Sequence, residues 1–289
     1  MELRDTVAVV TGGASGIGRA SALAFAREGA DVVVADIDRD GSDAAVAEIE
    51  DLGRKAISMP TDVSKREQVE RLVADAVDWQ GRCDLFMSNA GVGVGGAVEH
   101  IPLEDWEWVV DINLWAHIWA VRKILPHMLE RERGHLVHTA SSAGTFGVPS
   151  LTPYAVTKFA VVGLAESLAV YCNGRGVGVS VVCPLVVATN IMNSSRNTPE
   201  PGMDPAVQER FREFVNKMFE QTGLPPEAVA DAVVAAVRES RLYVFPHPEV
   251  QQILEAKLAD PDAWVANSAD VWRGQREAME QMLSAGSSG

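Results

Sequence analysis

One stretch near the amino terminus, VAVVTGGASGIGRASALAFAREGADVVVAD, constrains the fold more than any other part of the chain. Two runs of small and β-branched residues flank a segment with helical periodicity, and a glycine-rich turn joins the first run to that segment. Two parallel strands need such a crossover, because the chain has to return to the edge of the sheet at which the first strand began. The stretch therefore predicts a strand, a helix and a second, parallel strand.

The same alternation of short apolar runs and helical patterns continues along the chain. Strand-length runs that are apolar on both faces occupy residues 7–11, 32–36, 56–60, 84–88, 135–140, 179–183 and 242–245. Helical patterns occupy residues 17–28, 40–53, 65–80, 103–131, 153–173, 204–221 and 226–239. Runs apolar on both faces are typical of strands covered by helices on each side. The pattern predicts an α/β fold, a doubly wound (Rossmann) parallel sheet of about seven strands with helices on both faces.

The domain organisation follows from the absence of a linker rich in proline, glycine or serine. We expect one Rossmann-type domain over residues 1–260 and a C-terminal extension over 261–289, whose end, SAGSSG, is expected to be disordered. The one long insertion between sheet elements is 190–222, which we expect either to form a lid over a ligand or to cover the core. The apolar stripe of its predicted helix contains Phe211, Phe214, Val215, Met218 and Phe219.

Charge and cysteine content exclude several classes of protein. The chain has 25 Lys and Arg against 40 Asp and Glu, a formal net charge of −15, which argues against nucleic acid or an anionic membrane as a partner. Its cysteines, Cys83, Cys172 and Cys183, have no paired spacing, so we expect buried thiols in a reducing cytoplasm. The amino terminus lacks the apolar core of a signal peptide, and the longest apolar run is broken by Pro184 and too short to cross a bilayer.

The glycine-rich turn has the composition of a phosphate-binding loop. Gly12, Gly16 and Gly18 let the backbone approach a ligand closely, and Ser15 and Ile17 lie in the same loop. Free N–H groups at the start of the following helix attract a pyrophosphate. A lone glycine pattern is often just a turn, but the strand before it and the helix after it favour a dinucleotide site.

An acid at the end of the second strand bears on the choice of dinucleotide. Asp36 lies eighteen residues past Gly18. A carboxylate there accepts hydrogen bonds from both adenosine ribose hydroxyls and repels a 2′-phosphate. This predicts NAD in preference to NADP, and the neighbouring Arg39 weakens that preference.

Tyr154 and Lys158 lie four residues apart in a helical pattern, so they share one face of the helix. Lowering a tyrosine pKa from about 10 by about three units takes roughly 4 kcal/mol. A unit charge about 4 Å away supplies that at an effective dielectric constant of about 20. The pair predicts a tyrosinate that takes the proton of an alcohol while hydride leaves its carbon. Ser141, at the end of the fifth strand, either orients the substrate oxygen or only caps a turn.

Motifs in order along the chain resemble a known family. TGGASGIG fits T-G-x-x-x-G-x-G, NAG and SS follow at 89–91 and 141–142, and YAVTK fits Y-x-x-x-K. Over residues 3–245 the chain resembles the short-chain dehydrogenase/reductases of the shorter, single-domain branch. The resemblance implies that Tyr154 is the acid–base, that Lys158 also binds the nicotinamide ribose and that Ser141 holds the substrate oxygen. It further implies that the backbone at Asn113 holds a water linking Lys158 to bulk solvent.

The resemblance also implies the rest of the cofactor site. The adenine would lie between Asp62 and Val63. Other lining positions would be Asn89, Gly91, Pro184, Val187 and Thr189, the last three at the nicotinamide amide. One position departs from the family pattern: where P-G-x-x-x-T is usual, this sequence reads PLVVAT, with Leu185 in place of glycine. Leucine cannot adopt glycine torsions freely, so the local backbone is expected to differ and the substrate side to be narrower.

The predicted function is an NAD-dependent oxidoreductase for a secondary alcohol and its ketone. Phe146 and Leu151, near Tyr154, favour an apolar or cyclic substrate. The alternatives are a cofactor-sensing binding protein without turnover, or an epimerase or dehydratase of the family's longer branch. Trp115 and Trp119 lie on the helix that forms a subunit interface in relatives, or in the core, so we expect a homo-oligomer, a homotetramer or a dimer.

The six histidines do not predict a metal site. His135 and His138 are three apart on a strand and point to opposite faces. The other four are His100, His117, His127 and His247, and each is isolated in the sequence. We therefore expect no metal in the chemistry.

Overall fold

The computed structural model describes residues 1–197, 213, 217–219 and 221–285. Seven parallel strands form its central sheet. They are β1 Val7–Thr11, β2 Asp31–Asp36, β3 Ala56–Pro60, β4 Leu85–Ser88, β6 Gly134–Thr139, β7 Val177–Val182 and β9 Tyr243–Val244. Their order across the sheet is β3-β2-β1-β4-β6-β7-β9. A separate parallel pair is formed by β5 Val94–Gly95 and β8 Arg196–Asn197.

Helices cover both faces of the central sheet. They are α1 Gly16–Arg27, α2 Arg39–Asp51, α3 Arg66–Gln80, α4 Leu103–Val110, α5 Ala116–Glu130, α6 Thr152–Cys172, α7 Pro226–Glu239, α8 Pro248–Ala259 and α9 Pro261–Ala285. Apolar side chains of α1, α2 and α7 form the core on one face, and those of α3, α5 and α6 form it on the other. The predicted doubly wound fold is confirmed.

The strand order explains where a ligand can bind. The chain winds from β1 towards β3 in one direction and from β4 towards β9 in the other. The loops after β1 and β4 therefore diverge and leave a crevice at the carboxyl edge of the sheet. Every residue of β1 is buried, because its valines and alanine face helices on both sides.

Most predicted elements are close to the observed ones. The predicted bounds of β1, β3 and α7 coincide with the observed bounds, and those of the other sheet strands, α1–α3 and α6 differ by at most two residues. The helix predicted over 103–131 is observed from Leu103 to Glu130, but a π-helical turn that the pattern did not indicate, Asp111–Trp115, divides it into α4 and α5.

The end of the chain is more regular than its pattern indicates, since α8 and α9 follow the last strand. The helix predicted over 204–221 lies mostly outside the described residues, as do the last four residues of the chain. Phe211, Phe214 and Val215 of its predicted stripe are among the residues outside.

One helix in the described part of the chain, Pro149–Cys172, is long and apolar enough to cross a membrane by length and composition, which the sequence pattern did not indicate. In the fold this helix packs against the sheet. Val161 and Ala165 on its inner side belong to the core, whereas Val170 and Tyr171 on its outer side are exposed. A core helix with an apolar outer face passes the same test as a membrane span.

Candidate active site

Backbone segments approach each other closely in the loop between β1 and α1. Gly12 and Gly16 have φ angles of +68° and +51°, in the left-handed region that favours glycine. A methyl group on Gly18 would overlap the carbonyl oxygen of Gly12, and one on Gly12 would lie 2.8 Å from Ala90 Cα. Ser15 precedes α1, is exposed and makes no side-chain capping bond. The first N–H groups of α1 and the small loop residues fit a pyrophosphate.

Asn89, which follows β4, holds this loop in place through side-chain hydrogen bonds. Its Nδ2 donates to the carbonyl oxygens of Thr11, at 3.1 Å, and Gly12, at 3.4 Å. Its Oδ1 accepts a hydrogen bond of 3.0 Å from Thr139 Oγ1, at the end of β6. One side chain thus joins the carboxyl ends of three neighbouring strands and holds the glycine loop over the crevice.

Asp36 lies at the end of β2 beside the same loop. Its Oδ2 accepts from the Ala14 amide and its Oδ1 from the Asp38 amide, both at 3.0 Å. The carboxylate is half-buried, and its two oxygens have further acceptor positions for ribose hydroxyls. Arg39, which could have neutralised Asp36, lies 3.8 Å from Asp43 Oδ2 through its Nε.

The strand beside Asp36 brings the predicted adenine residues to this edge. The Thr61 amide donates to the Asp36 carbonyl oxygen at 2.8 Å, so the chain after β3 passes next to Asp36. Asp62 Oδ1 accepts from the Ser64 amide and hydroxyl, at 2.9 and 2.7 Å. Val63 is buried in the core.

Tyr154 and Lys158 lie on α6, and their surroundings come from three other elements. Lys158 is 3% exposed, its Nζ donates to the Thr139 carbonyl oxygen at 2.9 Å, and it lies 5.4 Å from the centre of the Tyr154 ring. Ser141, also buried, lies beside the Tyr154 side chain, and its Oγ accepts from the Ala143 amide at 3.2 Å. A methyl group on Gly91 would lie 3.5 Å from Lys158 Nζ, so this glycine keeps the crevice open.

Burial dominates the electrostatics of this pair. Burial raises the pKa of Tyr154, and the neighbouring Ser141 side chain offsets only part of that rise. Burial also lowers the pKa of Lys158 to about 8. The predicted lowering of the Tyr154 pKa by Lys158 is therefore wrong for the protein alone. The physical reason is that the low dielectric constant of the interior has two effects. It strengthens the attraction between a tyrosinate and the Lys158 ammonium, but it also disfavours the charged form of each group.

Asn113 lies within the π-helical turn, and its side chain is fully buried. Its Oδ1 accepts from the Val92 amide at 2.9 Å, and its Nδ2 donates to the Val92 carbonyl oxygen at 2.8 Å and to Thr157 Oγ1 at 3.3 Å. The side chain therefore fixes the loop after β4 against α6. The predicted role of Asn113 belongs to its backbone, which the π turn displaces from regular helical bonding.

The loop after β7 closes the opposite side of the crevice. The Pro184 carbonyl oxygen accepts from the Ser142 amide at 2.7 Å, and Val187 pairs with Leu224. A methyl group on Gly16 would lie 3.0 Å from Thr189 Cγ2, so the end of this loop reaches the glycine loop.

Leu185 occupies this loop without a left-handed backbone. Asp5, Glu132 and Ser240 are the non-glycine residues with positive φ in the described part of the chain, and Leu185 is not among them. The backbone here has no need of glycine torsions, which explains why leucine is tolerated. The Leu185 side chain is 39% exposed.

Two residues that the sequence pattern did not single out contact the site from α8 and its start. His247, predicted to be isolated, hydrogen-bonds to the backbone of Leu185 and Val186. Lys257 Nζ donates to the Thr145 carbonyl oxygen at 2.6 Å, in the loop between Ser141 and Tyr154. These contacts span 61 to 112 residues, so no local pattern could have indicated them.

The C-terminal helix also meets this loop. The Phe146 ring lies 6.4 Å from the ring of Trp264, on α9, and Lys257 lies over Trp264 and Phe159. Phe146, which was expected to favour an apolar substrate, thus contacts Trp264 of the protein itself.

The buried histidines contact other polar side chains of the protein. Within the described residues no cluster of three or more His, Cys, Asp or Glu side chains could hold an ion. His117 is not isolated as predicted, since its Nδ1 lies 3.0 Å from Nδ1 of His138. His135 Nε2 lies 2.9 Å from Ser180 Oγ, on the neighbouring strand.

Comparison with known proteins shows similarity over nearly the whole chain. A family model described as short chain dehydrogenase matches residues 6–200. A 1-deoxy-11-beta-hydroxypentalenate dehydrogenase of Streptomyces exfoliatus is 37% identical over 264 residues, which are 90% of each chain. A C alpha-dehydrogenase of Sphingobium sp. is 32% identical over 99% of this chain and 94% of that protein.

A solved structure is similar to the same extent. It is a short chain dehydrogenase/reductase from Burkholderia phymatum in complex with NAD, with a TM-score of 0.83 and 32% identity. The similarity covers 91% of this chain and 96% of that one.

Proposed function

We propose that this chain, which belongs to the short-chain dehydrogenase family, is an NAD-dependent oxidoreductase that interconverts a secondary alcohol and a ketone. Family membership makes the chain an oxidoreductase of alcohol- or ketone-type substrates. The observation that carries the finer proposal is that Tyr154 lies at the edge of the crevice with buried Ser141 beside it and the Nζ of buried Lys158 5.4 Å from the centre of its ring.

The residues of the crevice divide the work of binding and proton transfer. Gly12, Gly16 and Gly18 would hold the pyrophosphate of NAD, Asp36 its adenosine ribose and Lys158 its nicotinamide ribose. When bound, NAD supplies a positively charged ring that accepts the hydride leaving the alcohol carbon.

Tyr154 and Ser141 act on the substrate oxygen. Ser141 donates a hydrogen bond that orients the hydroxyl of the substrate, and the Tyr154 phenolate takes its proton. The carbon–oxygen bond then becomes a carbonyl as the hydride departs. In the reverse direction the Tyr154 phenol returns the proton to the alkoxide oxygen. Because burial raises the Tyr154 pKa in the protein alone, this step needs positive charge on the ligand side of the phenol.

Asp36 supports NAD as the preferred cofactor. Its carboxylate lies at the end of β2 with acceptor positions remaining, and Arg39 is directed to Asp43. A 2′-phosphate beside this carboxylate would be repelled, whereas ribose hydroxyls would donate to it. The similar Burkholderia phymatum protein is in complex with NAD.

An apolar or cyclic alcohol is the substrate class that we propose. Leu185 has an exposed apolar side chain on the loop after β7, and Pro184 before it accepts from the amide of Ser142, which follows Ser141. The relatives are named for dehydrogenation at a C alpha position and of a hydroxypentalenate.

We propose that the insertion 190–222 forms a lid over this substrate. Its first residues lie against the loop after β4, where Ser195 Oγ accepts from the Gly93 amide at 3.1 Å and β8 pairs with β5. Arg196 lies 4.0 Å over the ring of Trp108 and 2.8 Å from Asp105. These contacts fix the start of the insertion against α4 and the loop after β4.

The outer face of α6 supports a homo-oligomer. Val156, Phe159, Val170 and Tyr171 are each at least 40% exposed on this helix, and Trp115 is 44% exposed on the π turn beside it. Apolar surface of this kind is typical of a protein–protein interface. We propose a dimer or a tetramer in the cytoplasm, where the three buried, free cysteines would stay reduced. Light scattering after size-exclusion chromatography measures the assembly, and a monomer contradicts it.

The function is tested by absorbance at 340 nm with a panel of cyclic, aromatic and aliphatic secondary alcohols and either NAD or NADP. We expect NADH formation that falls about 10²- to 10⁴-fold in Tyr154→Phe, because the proton acceptor is lost. Tyr171→Phe is the matched control, since it removes a hydroxyl from an exposed position on the same helix.

The outcome separates the proposal from its alternatives. Tight NADH binding without turnover of any alcohol or ketone would favour a cofactor-sensing protein. Turnover that survives in Tyr154→Phe would contradict the proposed acid–base. An epimerase or dehydratase would convert its substrate without net formation of NADH.

A further inference from the structure

His247 lies between the last strand and α8, at the carboxyl edge of the sheet. It follows β9, whose Val244 pairs with Val182 of β7, so the chain after β9 runs beside the chain after β7. Pro246 and Pro248 flank it and restrict the backbone on both sides. The half-buried imidazole is therefore held next to the Pro184–Thr189 loop.

Both ring nitrogens of His247 bind the backbone of this loop. Nδ1 accepts from the Leu185 amide at 3.2 Å, and Nε2 lies 2.9 Å from the Val186 carbonyl oxygen. The amide can only donate and the carbonyl can only accept. The two contacts therefore require a neutral ring with its proton on Nε2.

The bound segment contains the departure from the family pattern. Leu185, which replaces the usual glycine, uses its amide to bind His247. The other anchors of the loop are backbone hydrogen bonds: the Ser142 amide donates to the Pro184 carbonyl oxygen, and the Leu224 amide donates to the Val186 carbonyl oxygen at 2.9 Å. In the described structure His247 is the side chain that binds the Leu185 amide, and it shares the Val186 carbonyl oxygen with the Leu224 amide.

We propose that His247 is a positioning residue, which holds the Leu185–Val186 backbone so that the Pro184–Thr189 loop presents its nicotinamide-binding groups. The inference rests on the proposed NAD-dependent function, because the loop is the part of the crevice assigned to the nicotinamide. The adenosine end of the cofactor would bind to Asp36 and the glycine loop, which His247 does not contact in the described structure.

This division gives a test that separates positioning from general stability. We would measure the binding of NADH and of ADP-ribose, which lacks the nicotinamide, by calorimetry. His247→Leu removes both hydrogen bonds, so we expect NADH binding to weaken about tenfold, as for the loss of one or two net hydrogen bonds. ADP-ribose binding is expected to change less than about twofold, because its contacts remain.

His247→Gln keeps one acceptor and one donor on a flexible stem and is expected to recover part of the NADH affinity. Gln252→Leu, at an exposed position of α8, is the matched control and should bind both ligands as the wild type does. If His247→Leu does not fold, His247→Gln replaces it in the test. In that variant NADH binding should still weaken, and ADP-ribose binding should not.

Equal weakening of both ligands would show a merely structural role and overturn the proposal, and so would unchanged NADH binding in His247→Leu. If the wild-type protein binds ADP-ribose but not NADH, the proposed function itself fails. The wild-type measurement thus distinguishes that failure from a failure of the His247 inference.

Discussion

Three buried histidines should make the fold sensitive to acid. His117 and His138 pair through their Nδ1 atoms, and His135 binds Ser180, while their other ring nitrogens have no hydrogen-bond partner in the described structure. Burial lowers the pKa of His138 to about 4 and that of His135 to about 3. Burial and the nearby His138 also hold the pKa of His117 well below its usual range.

The sign and the size of the effect follow from proton linkage. The unfolded chain binds protons at these histidines near pH 6.5, whereas the folded chain does not until about pH 4. The unfolded state therefore binds more protons between these values, and stability falls as the pH falls below 6.5. Between pH 8 and pH 5 the loss is about 2 kcal/mol for His138 and about the same for His135. A total of about 4 kcal/mol is a large part of the stability of an ordinary domain.

Urea unfolding followed by circular dichroism at pH 8, 6.5 and 5 measures this loss. In His138→Leu the loss should be about 2 kcal/mol smaller, because one titrating group is gone. The site should lose activity with the fold, since His138 precedes Thr139, whose carbonyl oxygen holds Lys158. NMR titrations of the folded protein that gave pKa values near 6.5 for these three histidines would refute the reasoning. A pH dependence of the unfolding free energy that is the same in His138→Leu as in the wild type would also refute it.

Three further substitutions test the crevice. Asp36→Ala should raise the ratio of NADP to NAD in kcat/KM by about 10²-fold, because repulsion of the 2′-phosphate is removed; an unchanged ratio in steady-state assays contradicts the role of Asp36. Lys158→Met should lower kcat/KM by about 10²-fold or more. The same variant should raise the free energy of unfolding by up to about 3 kcal/mol, since burial lowers the Lys158 pKa to about 8 and the buried charge is removed. Loss of both activity and stability would contradict this. Lys257→Met keeps the contacts with Phe159 and Trp264 but frees the Thr145 carbonyl, so KM for the alcohol should rise about three- to tenfold with little change in kcat. A fall in kcat alone would show that Lys257 does not order the substrate loop.

The parts of the fold that could be predicted depend on neighbours in sequence. The valines of β1 and the periodic segment of α1 have local patterns, so the strand–turn–helix unit and the glycine loop follow from residues 7–27. The spacing of Tyr154 and Lys158 likewise places both on one face of α6, because helical geometry acts over four residues. The doubly wound order follows from the handedness of successive crossovers.

What the sequence alone determined about this protein is therefore its alternating architecture, its glycine loop and the pairing of Tyr154 with Lys158 on one helical face. Only the tertiary structure decided the direction of the Tyr154 pKa, the pairing of His117 with His138 and the contact of His247 with Leu185. The physical reason is range. Periodicity and turn chemistry act between residues close in the chain, whereas burial and hydrogen bonding between distant segments exist only once the whole core has packed.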